Sequence, residues 1–274
     1  MTTNNLNDPL RDSALNLFAY IDWLGGLPCC HLEWDGVLGR LAVGAPLSDL
    51  NWVINAAPIG PDISGPIKRT LDFYARQGLP FSWYPVGAGY ESSLVEALAA
   101  HGGRSDSDLA CMASGDMIPV DLPPLQEGIS IATVSAPAGL EDWARAAADG
   151  FGYPESVQAS FTILATHMGF PGPDHRLYLA RVDDQPAGTA LLFRTGQVAG
   201  LYFLAVTPTM RRRGLGLALT RRAMHDALQA DCRMIILQSS QMAENLYHRA
   251  GFRTFAKMGR VTFEGDQRSI KSDS

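Results

Sequence analysis

Long apolar runs are absent from this sequence. None approaches the ~20 residues that a bilayer-crossing helix needs, so no membrane span is expected. Cysteine is scarce. Cys29, Cys30, Cys111 and Cys232 show no Cys-x-x-Cys spacing and no histidine pattern that would complete a zinc site, so no metal is expected. The adjacent Cys29 and Cys30 are badly placed to bridge each other. A disulfide framework is not indicated, and a reducing cytoplasm is the simplest setting. The polar, acidic N-terminus is unlike a secretory signal. Positive charge is short in the first half: up to Leu125 there are six Lys/Arg against fourteen Asp/Glu, a balance of −8. That half is a poor nucleic-acid binder. From Gln126 onward the counts are sixteen and fourteen, a balance of +2. Two nucleotide signatures are also missing, the Gly-x-x-x-x-Gly-Lys-Ser/Thr loop and the Gly-x-Gly-x-x-Gly turn.

What is present is a strand, a basic glycine loop and a helix in succession. Leu201-Tyr-Phe-Leu-Ala-Val206 reads as a buried strand closed by Thr207-Pro208. Arg211-Arg-Arg-Gly-Leu-Gly216 follows, and then Leu217, Leu219, Met224 and Leu228 stand among helix-forming residues at amphipathic spacing. Such a junction is an anion site. Free N–H groups at a helix start carry partial positive charge, and Gly214 and Gly216 let a phosphate approach the backbone. Arg211, Arg212 and Arg213 add full charges, so a pyrophosphate is the favoured ligand.

The pattern Arg211-x-x-Gly214-x-Gly216-x-Ala218 resembles the Gln/Arg-x-x-Gly-x-Gly/Ala signature of the GNAT superfamily of N-acetyltransferases. Further on, Met234-Ile-Ile-Leu237 reads as the next buried strand. Asn245-Leu-Tyr247-His-Arg-Ala-Gly251-Phe252 is then similar to that family's Asn-x-x-Ala/Leu-Tyr-x-x-x-Gly-Phe segment. The resemblance implies acetyl-CoA as cosubstrate and a primary amine as acceptor. It also implies an α/β (α+β) fold with a mixed, mostly antiparallel sheet flanked by helices. In the family the strand before the phosphate loop bulges and frees backbone N–H groups. Carried over, this assigns the backbones of Leu204, Ala205 and Val206 to the cofactor, with Arg211, Arg212, Arg213, Gly214, Leu215 and Gly216 at the pyrophosphate. Asn245 matches a position that bonds the pantetheine arm, and Tyr247 matches the proton donor to the leaving thiolate.

The order of elements repeats. In the first half, Ser13–Leu24 reads as a helix, and His31–Trp34 with Val37–Val43 as a hairpin around Asp35-Gly36. Asn51–Asn55 reads as a strand, Ile67–Gln77 as a helix, Phe81–Tyr84 as a strand, Glu91–Ala100 as a helix and Cys111–Ala113 as part of a strand. In the second half a strand at Ile129–Val134 and helices at Ala138–Gly150 and Glu155–Met168 come first. A hairpin around Asp183-Asp184, the strand Val198–Val206, two helix–strand steps and a last strand over Thr254–Phe263 follow. This indicates an internal duplication with an offset of roughly 150 residues. Two tandem GNAT-like domains are expected, a degenerate one at 1–122 and an acetyl-CoA-binding one at 123–274, joined across Pro119–Glu127. Where the second half has its arginine-glycine loop, the first half has Pro61-Asp-Ile-Ser-Gly-Pro66. That stretch has one glycine, no arginine, and prolines that remove N–H donors. In the family the loop Gly150–Pro154 borders the acceptor site.

Acetyl transfer needs a polarised carbonyl, a neutral amine and a proton for the departing thiolate. Many relatives carry a glutamate on the strand before the loop. Gln197-Val-Ala-Gly-Leu-Tyr-Phe-Leu204 has no acid, so Glu155, His167, Asp174, His175, Tyr202 and a water chain all stay open as the base. The acceptor also stays open among amino acids, polyamines, antibiotics and peptides, as does the acyl group. A homodimer is compatible with the sequence. The competing function is an acyl-CoA-binding module that senses or docks without turnover.

Overall fold

The computed structural model describes residues 8–55, 59, 63–85, 92–106, 108–114, 122 and 124–265. Residues 61, 62, 119–121 and 123, within the proline loop and the joint singled out above, lie outside this set. In chain order the first half gives α1 (Pro9–Gly25), β1 (His31–Asp35), β2 (Leu38–Ala42), β3 (Trp52–Asn55), α2 (Ser64–Ala75) and β4 (Phe81–Tyr84). α3 (Ser92–Ala100), β5 (Arg104–Ser105) and β6 (Leu109–Ser114) complete it. The second half opens with β7 (Ile129–Thr133), α4 (Pro137–Phe151), α5 (Glu155–Met168), β8 (His175–Val182), β9 (Gln185–Thr195) and β10 (Val198–Val206). It ends with α6 (Leu215–Gln229), β11 (Met234–Ser239), α7 (Glu244–Arg249), β12 (Phe252–Met258) and β13 (Val261–Phe263). The fold class is the mixed, mostly antiparallel one the sequence indicates.

Two sheets form. One runs β1-β2-β3-β4-β13-β5, the other β12-β6-β11-β10-β9-β8-β7. Leaving the β12–β6 pair aside, each is antiparallel except for one parallel pair, β3 with β4 in the first and β10 with β11 in the second. The two orders correspond strand for strand. β1 to β4 stand where β8 to β11 stand, β5 matches β12, and the position beside β4 or β11 is filled by a strand from the other half of the chain. Thus β6 pairs with β11 (Leu237 opposite Met112), and β13 pairs with β4 (Val261 opposite Trp83). The duplication carries a reciprocal strand exchange, which the sequence does not announce. Thr254–Phe263, read as one strand, is accordingly two, each in a different sheet.

The exchange makes each compact unit discontinuous in sequence. One contains residues 21–109 and 257–274, the other residues 1–20 and 110–256. In the first, Phe81 stacks between Tyr74 (ring centroids 4.2 Å apart) and Phe263 (4.6 Å) over a core with Trp83 and Leu98. Its buried Arg40 is neutralised by Glu33 (3.0 Å) and Asp35 (2.7 Å) and donates to Thr70 of α2 (2.9 Å). Paired in this way, a buried guanidinium is tolerated and ties α2 to the sheet. In the second unit α6 presents Leu219, Ala223 and Ala227, one stripe at helical spacing, to Tyr178, Ala190, Leu192 and Leu201, while Leu215 packs with Val182 and Ala187. The first half of α1 belongs to this unit. Its buried Asn16 donates to Phe193 O (3.2 Å) and Thr195 Oγ1 (3.2 Å), and accepts from the Tyr202 hydroxyl (2.8 Å).

Candidate active site

The site is made by β10 losing its neighbours. Its parallel pairing with β11 covers only Val198–Gly200, opposite Met234–Ile236. Beyond that β11 continues beside β6, whereas β10 runs on with β9 alone. The two central strands therefore part, and one edge of residues 201–206 faces a cleft.

At the mouth of that cleft β10 bulges. Tyr202 pairs with Leu191 and Ala205 with Thr189, so Phe203 and Leu204 together oppose Ala190. Phe203 takes φ +47°, a conformation that costs a bulky residue about 1–3 kcal/mol unless its surroundings impose it. They do. Thr189 Oγ1 donates to Phe203 O (2.9 Å), and Trp143 Nε1 donates to Ala190 O (3.3 Å). The Phe203 ring sits edge-on against Phe161 (5.5 Å) and Trp143 (5.6 Å). The family's bulge is thus present, and Thr189 and Trp143, which sequence reasoning passed over, hold it.

Backbone alternation assigns the donors. Thr207 N–H donates to Ala187 O on β9 (2.9 Å), so the N–H of Ala205, two residues back, also points to β9. Those of Leu204 and Val206 are left to the cleft. Of the three strand positions expected at the cofactor, Ala205 is turned away.

The phosphate loop follows a one-turn 3₁₀ segment, Pro208–Met210. Arg212 (φ +61°) and Gly214 (φ +81°) both take the left-handed conformation, which turns the chain sharply into α6. The first N–H groups of α6, at Leu215, Gly216 and Leu217, precede its first helical bond, Ala218 N–H to Gly214 O (3.0 Å), and so have no helical partner. Arg212, Arg213 and Gly214 are exposed, while Leu215 and Gly216 are buried. Two expected roles change. Arg211 is a brace, its guanidinium donating to Val206 O (3.2 Å) and Gly150 O (2.8 Å), so the loop is tied to the end of β10 and to α4. At Gly216 a Cβ would stand 2.7 Å from Leu246 Cδ1. Its bareness lets α7 pack on the start of α6. This packing brings α7 beside the loop.

On α7, Tyr247 is buried (6% exposed) with its ring edge-on to Phe252 (5.8 Å). Burial raises its phenol pKa, so the proton stays on through neutral pH. Its hydroxyl has no hydrogen-bond partner among the described residues. Asn245 is exposed one turn edge away. His248 is occupied by Phe252 O (3.1 Å) and Glu244 (3.6 Å).

The candidate bases separate clearly. Tyr202 is structural: it stacks on Tyr20 (3.9 Å), donates to Asn16, and burial raises its pKa. Asp174 faces Arg194 (3.6 Å). His175 is half-buried at the start of β8, and burial lowers its pKa. His167 is exposed in the last turn of α5 and Glu155 in its first. Among the described residues no group of three or more His, Cys, Asp or Glu is placed to hold a metal ion, and no helix is long and apolar enough to cross a membrane.

Residues 140–252, which span α4 to the start of β12, match the acetyltransferase (GNAT) family. This stretch is similar to a GNAT domain, and the activity general to that family is acyl transfer. No curated protein matches the chain. Among solved structures, a GCN5-related N-acetyltransferase from Kribbella flavida aligns with a TM-score of 0.66 at 18% identity, over 93% of this chain and 97% of that one. A GCN5-related N-acetyltransferase from Sphaerobacter thermophilus gives 0.59 at 17%, over 94% and 93%. A tandem GNAT protein from the clavulanic acid biosynthesis pathway gives 0.54 at 14%, over 94% of both chains. At such identities the likeness is one of fold, and it extends through both halves.

Proposed function

We propose that the chain transfers an acetyl group from acetyl-CoA to a primary amine by direct attack, at one site in the unit that contains β10. The observation that carries this reading is the bulge at Phe203–Leu204, where β10 parts from β11 above an arginine-glycine helix start. Parted strands expose N–H donors without unfolding the sheet. The helix start with exposed Arg212 and Arg213 offers an anion cradle of pyrophosphate size.

The residues divide the work as the reaction requires. The N–H groups of Leu204 and Val206 polarise the thioester carbonyl and hold the arm behind it. Leu215, Gly216 and Leu217 offer N–H groups to the phosphates, and Arg212 and Arg213 add charge there. Asn245 is placed to bond the arm. Tyr247 keeps a proton on an unpartnered hydroxyl and gives it to the thiolate as it leaves. Burial disfavours the tyrosinate this leaves, which takes up the proton that the attacking amine sheds. The amine loses its first proton through water.

Thiol release across a panel of amines, with acetyl-CoA and longer acyl-CoAs, tests the reading. Acetyl-CoA turnover with at least one amine class is expected. Tight acyl-CoA binding without turnover would instead favour a sensing module, the reading to which the acid-free strand 197–204 lends weight.

A further inference from the structure

Beyond the end of β10 lies a hollow of about 390 Å³, walled by Arg145 and Asp149 of α4, Tyr153 of the following loop, Glu155 and Gln158 of α5, and Thr207. Asp149 and Glu155 have no ion-pair or hydrogen-bond partner among the described residues. The wall's cation, Arg145, pairs with Asp142, which Arg181 shares. Thr207 is only 6% exposed, yet its hydroxyl also has no partner among the described residues. Two free carboxylates beside it give the hollow a net negative character.

A series of rings joins this hollow to the bulge. Phe203 contacts Phe161 (5.5 Å), Phe161 contacts Tyr153 (5.9 Å), and Tyr153 stacks on the exposed Phe151 (5.3 Å). Tyr153 belongs to both the series and the hollow. Aromatic rings suit methylene chains and ammonium groups alike.

We propose that the hollow takes the distal ammonium of the acceptor, so that the acceptor is an α,ω-diamine or a longer polyamine. This rests on the acyl-transfer reading above and names the substrate class of that same site. The reacting amine stands at the bulge, the methylenes lie along Phe151 and Tyr153, and the far ammonium meets Asp149, Glu155 and the Thr207 hydroxyl. From Leu204 to Thr207 the chain advances about 10 Å at ~3.3 Å per residue, the reach of a diamine with roughly seven or eight methylenes. The transfer forms an amide bond at the near nitrogen and breaks the thioester bond. The near ammonium's first proton goes to water, the thiolate is protonated by Tyr247, and the amine's second proton, released on collapse of the adduct, restores the phenol. The far ammonium is unchanged.

The test uses the full chain with acetyl-CoA and α,ω-diamines of increasing length, each beside the n-alkyl monoamine of matching length. Turnover is read as kcat/KM by thiol release. In parallel, calorimetry measures 1,8-diaminooctane binding without acyl-CoA. Diamine kcat/KM is expected to rise with length to an optimum near eight methylenes and to exceed the monoamine value about tenfold. Exposed charge pairs are individually weak, so Asp149→Asn with Glu155→Gln together should raise the diamine KM roughly tenfold more than the monoamine KM. Equal turnover of both series, or equal effects of the double variant on both, overturns the proposal. If no amine turns over, the acyl-transfer reading fails on its own. Calorimetry then decides the hollow: binding lost in the double variant supports the proposal, and absent or unaltered binding overturns it. A double variant that weakens acyl-CoA binding instead would place the hollow on the cofactor side and overturn it as well.

Discussion

Tyr247→Phe is the substitution that most directly probes the proposed chemistry, because the structure separates the hydroxyl from the rest of the side chain. The ring is 6% exposed and packs against Phe252 at 5.8 Å, while the hydroxyl has no hydrogen-bond partner among the described residues. Removing it keeps the packed volume and breaks no internal bond. The change in stability should therefore stay within about 0.5 kcal/mol, since the usual penalty comes from stranding a partner. Affinity for acetyl-CoA should change by less than about 1 kcal/mol, the worth of one neutral hydrogen bond. The chemical step, if this phenol protonates the thiolate, should slow by roughly 10²–10⁴-fold. The assay is a single-turnover rate at saturating acetyl-CoA, beside a binding isotherm and a urea melt. Unchanged chemistry with unchanged affinity would refute the reasoning and return Tyr247 to a packing role. Intact chemistry with lost affinity would make it a ligand to the arm.

Reversing both exposed loop charges, Arg212→Glu with Arg213→Glu, should weaken acetyl-CoA binding by at least tenfold at low salt and by less at high salt, while the melt stays unchanged; salt-independent affinity would remove these side chains from the phosphate site. Asn16→Ala should destabilise the unit containing β10 by roughly 3 kcal/mol, because it strands the buried Tyr202 hydroxyl and the acceptors at Phe193 and Thr195; a urea midpoint within error of wild type would show that water replaces the amide. Stability should fall as pH rises above about 9–10. Burial raises Tyr74, Tyr178, Tyr202 and Tyr247, pushes Tyr84 up to about 12 and Cys111 up to about 11, so the unfolded chain releases these protons first and the folded one binds more. A thermal midpoint constant from pH 8.5 to 11 would contradict that sign.

What could be read from the sequence was whatever a local pattern dictates. Val198–Val206 and Phe81–Tyr84 are strands with the expected ends, and Glu155–Met168 is a helix with the expected ends, because apolar period and flanking turn residues act within a few positions. The loop and the Tyr247 segment were legible through their resemblance to a family. Choice of partner was not. Alternation tells which face of β6 or β13 is apolar and says nothing about the neighbouring strand, so an exchange between sheets leaves no local trace. Asn16 did leave one, since it falls on the apolar stripe of α1 with Ser13 and Tyr20, but a polar residue on such a stripe does not name its partner. Gly216 was assigned to a phosphate for its missing side chain. The structure also places Leu246 Cδ1 2.7 Å from where a Cβ on Gly216 would stand, a contact 30 residues away in sequence that no spacing rule encodes.

The duplicated half serves as an internal control for what the site needs. β3 holds the place of β10 and keeps the same two neighbours, an antiparallel hairpin partner and a parallel strand across the crossover. Yet β3 pairs with β2 through four consecutive positions, Trp52 to Asn55, with no shift, and with β4 as far as Ile54. Its described length thus ends one residue beyond the parallel pairing. β10 runs six residues beyond its own pairing and bulges there. Along its described length β3 has partners on both edges, and positions 57 and 58, which correspond to Phe203 and Leu204, lie outside the described residues. Pro66, in the first turn of α2, also removes a donor from that helix start. Among the described residues, what separates the two copies is thus the run of β10 beyond its parallel partner, which no described stretch of β3 repeats.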